Sequence, residues 1–195
     1  MRELVYYIAV SLDGYIAAPD NTFDAFPLEG DHFETILREY TDTLPAPALA
    51  AFGLEPDNAR FDTVVMGYNT YAVGLPVGLR DPYPHLEQHV FSTHPRDVPP
   101  NVAVHGGDPV GVLRGLKARE SGSDIWLCGG GRLASALVGE IDRIILKVNP
   151  VLFGSGIPLF AERGYAPVTT TLEASTSFSS GVVINEYRML HSRSG

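Results

Sequence analysis

Short apolar segments alternate with helical segments along most of the chain, and this alternation constrains the fold more than any other feature. Residues 3–10 form an apolar, β-branched and aromatic run that is too short for a helix, which predicts a buried strand. The same reasoning predicts strands at 62–66, 89–93, 102–105, 125–128 and 141–148, and helices at 31–43, 109–120 and 132–139. Pro45 and Pro47 are expected to end the first helix. Strands that alternate with helices predict a three-layer α/β domain with a mostly parallel sheet.

The last third of the chain has a different pattern. Residues 166–176 and 181–190 alternate between apolar and polar side chains on either side of a Ser-Ser-Gly turn. This alternation predicts an antiparallel hairpin at the end of the domain. Because the length is close to that of one typical domain, we expect residues 1–195 to form a single domain.

The charge and the cysteine content exclude several classes of protein. The 14 Lys and Arg residues against 23 Asp and Glu residues give a net charge of −9, which argues against a nucleic-acid-binding surface. Cys128 is the only cysteine, so an intrachain disulfide and a cysteine metal cage are excluded. No apolar run reaches the roughly 18 residues of a membrane-spanning helix. We therefore expect a cytoplasmic protein that binds neither nucleic acid nor membrane.

The segment IWLCGGGRLASALV predicts a strand that turns directly into a helix. Backbone N–H groups at the start of such a helix suit a phosphate or a pyrophosphate, and glycines let the ligand approach the backbone closely. A tight strand-to-helix turn would need glycine even without a ligand. The segment lacks the downstream acid of a Rossmann site and the lysine of a P-loop, so neither of these two sites is expected.

Two further predicted strand ends carry groups that suit an anion. The segment VVMGYNTY places Asn69 and Thr70 after Gly67, and FSTH places Ser92 and Thr93 at the end of the next strand. Taken singly, these side chains could only cap a helix or a turn. Three phosphate-compatible strand ends in one small domain together favour a nucleotide site.

Asp13 and Asp31 are the two candidate catalytic carboxylates. Asp13 belongs to an Asp-Gly pair that is typical of a hairpin turn, whereas the functional interpretation places this loop over a ligand. Asp31 and Glu34 have the spacing of a capping box. Alternatively, the apolar segment before Asp31 could bury its carboxyl group and raise its pKa, as a general acid requires.

Other reactive side chains favour structural roles. His85, His89 and His94 are close in sequence but straddle a loop and a strand, so no metal site is predicted. A zinc-dependent hydrolase that uses these histidines remains a competing hypothesis. Cys128 has no nearby base in the sequence and is expected to be a buried small side chain.

Taken in chain order, the motifs resemble the dihydrofolate reductase superfamily. They are most similar to standalone proteins related to the C-terminal reductase domain of bacterial riboflavin biosynthesis. The matching segments cover nearly the whole chain and are IAVSLDGYIA, VVMGYNTY, HVFST, IWLCGGGRL, DRIILKVNPVLFGSGIPLF and the terminal hairpin. The most specific of them is PVLFGSGIPLF.

The resemblance implies a reduced nicotinamide dinucleotide, NADPH or NADH, along the strand ends. It implies that the nicotinamide is flanked by Val10 and Ile16, and that the pyrophosphate is received by Gly129, Gly130, Gly131, Arg132 and Leu133. The groups implied for the adenosine-side phosphates are Gly67, Asn69, Thr70, Ser92 and Thr93.

Two further positions follow from the same resemblance. The segment from Phe26 to Asp31 is similar to the one that carries the pteridine-binding acid in true dihydrofolate reductases. Tyr68 stands where the family has an arginine that faces the 2′-phosphate of NADPH, which predicts a weak preference between the two dinucleotides. Alternatively, His94 or Arg96, just after the end of the strand at 89–93, could supply the missing charge.

The predicted function is hydride transfer from NAD(P)H to a pterin-like or pyrimidine-like heterocycle. The resemblance also implies a homodimer that pairs through the hairpin at 166–190. The alternative is a module that binds a nicotinamide dinucleotide without turnover.

Overall fold

The computed structural model describes residues 1–162 and 164–191. The strands are β1 (Leu4–Ser11), β2 (Tyr15–Ala17), β3 (Phe61–Gly67), β4 (Glu87–Phe91), β5 (Val102–His105), β6 (Asp124–Gly129), β7 (Arg143–Asn149), β8 (Ile157–Pro158), β9 (Thr170–Ser177) and β10 (Val183–Met189). The helices are α1 (Asp31–Glu39), α2 (Ala46–Phe52), α3 (Tyr68–Ala72), α4 (Pro109–Lys117) and α5 (Gly131–Ala136). Short 3-10 turns cover Thr41–Thr43 and Leu75–Val77.

One large sheet has the strand order β5-β4-β3-β6-β1-β7-β10-β9. Its strands from β5 to β7 in this order pair in parallel, whereas β10 pairs antiparallel with β7 and with β9. A second, small antiparallel sheet joins β2 to β8. The expected α/β architecture with a mostly parallel sheet and a C-terminal antiparallel hairpin is therefore confirmed.

Helices cover both faces of the sheet, which gives the three layers that the alternation predicted. On one face, which we call the α1 face, Tyr7 and Trp126 pack with Ile36 of α1 and Leu49 of α2. On the opposite face, sheet residues pack with α4 and α5, whose buried members include Leu113, Leu116 and Leu133. Because the central strands are covered on both sides, their side chains are apolar on both faces, as parallel strands require.

The helix expected at 31–43 is shorter than predicted, and a second helix follows it. Helix α1 ends at Glu39. Helix α2 begins at Ala46, between Pro45 and Pro47, which were expected to end helical structure. Pro45 precedes α2 as its N-cap, and Pro47 lies within its first turn. A proline costs little there because the first N–H groups of a helix have no intrahelical partner. The first helix thus ends before the prolines, and the helix that begins at Ala46 was not predicted.

The other predicted elements differ from the structure mainly at their ends. The short strands β2 and β8 were not predicted, because two or three residues carry too little pattern to be recognised. Within the described residues, no helix is long and apolar enough to cross a membrane.

Candidate nucleotide and substrate site

The carboxyl ends of the parallel strands lie along one edge of the sheet. Strand β1 ends at Ser11, β3 at Gly67 and β6 at Gly129, and the next residues of each strand lead into loops or helices. Ligands of open α/β sheets bind at this edge. Most of the predicted cofactor residues lie at or just after the carboxyl ends of β1, β3, β4 and β6.

Five of the predicted residues meet at the ends of β3 and β6. A Cβ atom placed on Gly129 would lie 3.8 Å from Thr70 Oγ1 and 3.9 Å from Ile16 Cδ1. A Cβ atom on Gly130 would lie 3.6 Å from Thr70 Oγ1, and one on Gly67 would lie 3.7 Å from the Gly130 nitrogen. We call Ile16, Gly67, Thr70, Gly129 and Gly130 the glycine cradle.

The backbone of the cradle depends on glycine. Gly129 has a φ of 124°, which side chains of L-residues rarely adopt, and a cis peptide bond joins it to Gly130. Because these positions lack Cβ atoms, the main chain lies beside Ile16 and Thr70 with no side chain of its own between them. A cradle of this kind fits a flat or phosphorylated ligand that must approach the main chain.

The next three predicted pyrophosphate residues have different surroundings. A Cβ atom on Gly131 would overlap the carbonyl oxygen of Pro158 in β8, so this glycine allows strand β8 to pack against α5. The Leu133 side chain is buried in the core, whereas Arg132 is exposed. Only backbone groups of Gly131 and Leu133 are therefore available to a ligand.

Val10 and Ile16 lie on the two sides of the β1–β2 connection. The Val10 side chain is buried, and its carbonyl oxygen accepts a hydrogen bond from Asn149 Nδ2 at 3.3 Å. Ile16 is half-buried and its Cδ1 faces the glycines of the cradle. Of the two residues, Ile16 is the one whose side chain faces the cradle.

Asn69 and Thr70 do not cap α3. Gly67 is the N-cap of this helix, with no side-chain capping bond, and Tyr68 is its first residue. Asn69 is exposed and Thr70 is half-buried beside the cradle. The alternative that these two side chains only cap a helix is therefore wrong.

Ser92 and Thr93 form a local turn that brings a cation to the end of β4. The Ser92 hydroxyl donates to the His94 carbonyl oxygen at 2.8 Å and accepts from Arg96 Nε at 2.9 Å. Thr93 Oγ1 lies 3.0 Å from His94 Nδ1. The Arg96 guanidinium lies over the Tyr68 ring, 3.7 Å from its centroid. Arg96 thus brings a positive charge to Tyr68, where the sequence lacks one.

Asp13 connects the turn after β1 to the segment that follows β7. Its carboxylate accepts hydrogen bonds from Ser11 Oγ at 2.6 Å and from the Gly154 nitrogen at 2.7 Å, with a further bond from Phe153. These bonds lower the pKa of Asp13 to about 2, with the Ser11 hydroxyl as the largest cause. The hairpin interpretation is wrong, because β2 pairs with β8 instead of β1.

Asp31 is the first residue of α1, and its surroundings contradict both the capping box and the raised pKa expected for its carboxyl group. Gly30 is the N-cap and has no side chain, which contradicts the capping box, although the Asp31 carboxylate accepts from the His32 nitrogen in the first turn at 3.1 Å. The Asp31 carboxylate instead accepts from the Ser179 and Ser180 nitrogens at 2.7 and 3.1 Å. These N–H donors lower the pKa of Asp31 to about 2, where a general acid would need a raised pKa.

The three histidines do not form one cluster. His85 Nε2 lies 2.9 Å from the Asp42 carbonyl oxygen, His89 lies between Glu87 and His105, and His94 lies beside Thr93. In the described part of the chain, no group of three or more His, Cys, Asp or Glu side chains could hold a metal ion. Nothing in this geometry favours the hydrolase hypothesis.

Lys147, which the sequence patterns did not indicate, lies on the α1 face near the carboxyl end of β7. It is half-buried, and its Nζ lies 4.2 Å from the centroid of the Tyr7 ring. The indication in the sequence was a single charge inside the apolar segment IILKV. Cys128 is also half-buried on this face, and burial raises the pKa of its thiol to about 12.

The fold and the cradle together define an α/β domain with a dihydrofolate-reductase-like sheet and a nucleotide-compatible edge. Residues 2–184 match the model of the RibD C-terminal domain. The chain is 32% identical over 166 residues to the uncharacterised protein YwjB of Bacillus subtilis (strain 168), covering 83% of this chain and 84% of that protein. The chain therefore belongs to the RibD C-terminal domain family.

Two solved structures have the same fold. One is a protein of Shewanella sp. PV-4 that carries a provisional assignment to riboflavin biosynthesis, with a TM-score of 0.72, 23% identity and coverage of 97% of this chain and 99% of that one. The other is the dihydrofolate reductase of Enterococcus faecalis in complex with NADP(H), with a TM-score of 0.61, 15% identity and coverage of 96% of both chains. The resemblance stated from the motifs is thereby confirmed at the level of family and fold.

Proposed function

We propose that this chain is a reductase that uses NADPH, with NADH as a second possible donor, to transfer a hydride to a pterin-like or pyrimidine-like heterocycle. The glycine cradle carries this proposal. At Gly129 and Gly130 the main chain carries no side chain, and a Cβ atom there would be in van der Waals contact with Thr70 and Ile16, at 3.6 to 4.0 Å. The family and the reductase of Enterococcus faecalis, which was solved with NADP(H), support it.

The residues around the cradle fit a nicotinamide dinucleotide. When bound, such a cofactor supplies the hydride and its two electrons, and the chain supplies orientation. The backbone N–H groups after Gly129 would bind the pyrophosphate, and the Thr70 hydroxyl would add a donor. Ile16 would pack its apolar side chain against the nicotinamide ring and exclude water from it.

The preference for NADPH depends on Arg96 in this proposal. A 2′-phosphate carries nearly two negative charges, and a chain of net charge −9 would repel it without a local cation. The guanidinium of Arg96 is held in place by Tyr68 and by the Ser92 hydroxyl. A charge-assisted bond to phosphate is roughly twice as strong as a neutral one.

The decisive experiment separates binding from turnover. The affinities of the purified protein for NADPH and NADH would be measured by calorimetry. Consumption of the reduced nicotinamide would then be followed by its absorbance over a panel of oxidised pterins and ribosylaminopyrimidines. We expect NADPH to bind and at least one heterocycle to be reduced. A protein that binds neither dinucleotide would contradict the whole proposal.

A second candidate function is a dinucleotide-binding module without turnover. The observation that favours it is that both expected acids are held ionised, with the pKa of each about 2. Asp13 is held by the Ser11 hydroxyl and by backbone N–H donors, and Asp31 by backbone N–H donors. Neither carboxyl group can then donate a proton at neutral pH. Dinucleotide binding without oxidation in the presence of any heterocycle of the panel would favour this candidate.

We also propose that two copies pair through the hairpin of β9 and β10. Strand β9 is the last strand of the sheet, and all eight of its residues are exposed. An exposed edge strand offers unpaired backbone groups to another chain. Leu172, in the middle of β9, is 53% exposed, which fits a surface that a second copy would cover.

A further inference from the structure

Lys147 lies beneath an opening in the layer that covers the α1 face. Its Cα pairs with Ala9 of β1 and with Ile184 of β10, and strand alternation places its side chain on the same face as Tyr7. Ala9, Cys128 and Lys147 are each half-buried, although β1, β6 and β7 are central strands of the sheet. Helices that covered this face completely would bury all three.

The ammonium group of Lys147 has no hydrogen-bond acceptor and no counter-ion among residues 1–162 and 164–191. Its one contact of note is the Tyr7 ring, 4.2 Å from Nζ. The Tyr7 hydroxyl is also buried, and within the same residues no hydrogen-bond partner reaches it. The chain's other lysine, Lys117, is by contrast bound to Asp142 at 2.6 Å and to the Glu140 carbonyl oxygen.

Burial without a partner is unfavourable for a charged group. It lowers the pKa of Lys147 from the usual 10.5 to about 8, which still leaves most of the group protonated at neutral pH. An acceptor atom placed beside Nζ would relieve this cost. The arrangement therefore favours a ligand that brings such an atom.

The groups around Lys147 can donate hydrogen bonds, and none of them offers a free negative charge to its ammonium group. Burial raises the pKa of the Cys128 thiol to about 12 and the pKa of Tyr83 well above its usual value, so both stay neutral. Glu186 is on the same face of the adjacent strand but is engaged by Tyr40 Oη at 3.2 Å and Arg143 at 3.4 Å. The Asp31 carboxylate is held by the turn between β9 and β10.

This opening also adjoins the glycine cradle. Cys128 lies immediately before Gly129 in β6, and its side chain is on the α1 face. A ring bound over Cys128 and Lys147 would be close to a ligand in the cradle. A ring bound there would have hydrogen-bond donors on one side and the dinucleotide on the other, which suits the acceptor of a hydride.

We propose that Lys147 binds the substrate, and that the substrate is a heterocycle that presents an acceptor oxygen, such as a lactam carbonyl, to its ammonium group. This inference rests on the proposed reductase function and names the recognised part of its substrate. The resemblance implied a carboxylate that pairs with a protonated ring. In this proposal a cation, the Lys147 ammonium group, pairs with a ring oxygen instead. Lys147 is thus the residue that sets substrate class.

The two-lysine composition permits a direct test by NMR. Protein labelled with a heavy carbon isotope at lysine Cε gives one signal for Lys147 and one for Lys117. In the presence of NADP⁺, which has no hydride to transfer, it would be titrated with pterin, which has a lactam oxygen, and with the analogue in which an amino group replaces that oxygen. We expect pterin to shift the Lys147 signal and raise its pKa, while the Lys117 signal stays unchanged.

Two variants make the test quantitative. Lys147→Met keeps the length and apolar stem of the side chain, and Lys147→Arg keeps the charge. We expect the wild type to bind pterin about tenfold more tightly than the amino analogue, as a charge-assisted hydrogen bond predicts. Lys147→Met should abolish this preference and Lys147→Arg should retain part of it, while NADPH affinity stays unchanged in both.

The outcomes separate this inference from the proposed function. A Lys147 signal that does not move at saturating pterin, or an unchanged preference in Lys147→Met, would overturn the inference even if the enzyme reduces pterins. Loss of all dinucleotide binding in the wild type would instead overturn the proposed function. Folding of each variant would be checked by circular dichroism and by its NADPH affinity.

Discussion

Arg96 and Tyr68 form a stacked pair, with 3.7 Å between the guanidinium carbon and the ring centroid. Tyr68 occupies the position of an expected arginine at the end of β3, and Arg96 reaches it from the loop after the neighbouring strand β4. The positive charge thus comes from a different strand end. The sequence predicted a weak preference between NADPH and NADH from Tyr68, with His94 or Arg96 as the side chains that could replace the missing charge. Of these two, Arg96 lies over the Tyr68 ring.

Arg96→Met should lower NADPH affinity about tenfold and leave NADH affinity unchanged, because one charge-assisted bond to the 2′-phosphate is lost. The ratio of the two dissociation constants, measured at low and high salt, checks this prediction. Arg132→Met is a control, since Arg132 is also exposed and belongs to the pyrophosphate side of the expected site. An NADPH-to-NADH ratio that is the same in Arg96→Met and in the wild type would contradict the role of Arg96.

Gly130→Val should reduce dinucleotide affinity by about a hundredfold, or ~2.7 kcal/mol, because a branched side chain would fill the cradle. Its φ of −90° is accessible to any residue, and the Cβ position has only ordinary contacts. The fold should therefore tolerate the change. Gly115→Val provides a matched control, because a Cβ atom on Gly115 of α4 would have no neighbour within 4 Å. Unchanged affinity in a folded Gly130→Val protein would remove the cradle from the cofactor site.

Gly131→Ala should affect stability more than binding. Its Cβ would overlap the carbonyl oxygen of Pro158, so β8 must move away from α5. Overpacking of this kind costs about 1–3 kcal/mol in the free energy of unfolding. Urea denaturation would measure the loss, and Gly130→Ala should show little of it. A Gly131→Ala protein as stable as the wild type would show that β8 adapts freely.

Asp31→Asn should leave turnover nearly unchanged, because the Asp31 carboxylate is ionised and bound to the turn between β9 and β10. The folded-state pKa of Asp31 is about 2, below its usual 3.8. Its contribution to stability is therefore present above pH 3.8 and is lost as the pH falls toward 2. Melting temperatures between pH 5 and 2 should fall less steeply in Asp31→Asn. A large loss of turnover would restore Asp31 as a catalytic group.

The alternation of apolar and helical segments predicted the element types because it reflects which faces are buried. It could not give the order of strands in space, where β6 lies between β3 and β1. That order depends on packing between residues far apart in the chain. Helix α2 was not predicted for a local reason. A proline such as Pro47 breaks the interior of a helix but is tolerated in its first turn.

The candidate site was predictable where glycines mark it and less so where single polar side chains do. Gly129 and Gly130 come from consecutive positions, so the sequence alone brings them together. Asp31 has the spacing of a cap, and only the packing of α1 against the β9–β10 turn shows its partners. Lys147 is an ordinary charged residue in the sequence, and its importance depends on the absence of an acceptor among the residues that the structure describes.

Strand β9 is exposed along its whole length at the edge of the sheet. If two copies pair through β9 and β10, light scattering should give about twice the chain mass of 21.1 kDa. Leu172→Lys, which adds a charge to this edge strand, should shift the protein toward the monomer, because a buried lysine without a partner is unfavourable at such an interface. Leu152→Lys changes a leucine that is 70% exposed and lies outside the hairpin, so it should remain dimeric. A wild-type mass of 21.1 kDa at every concentration tested would exclude the dimer.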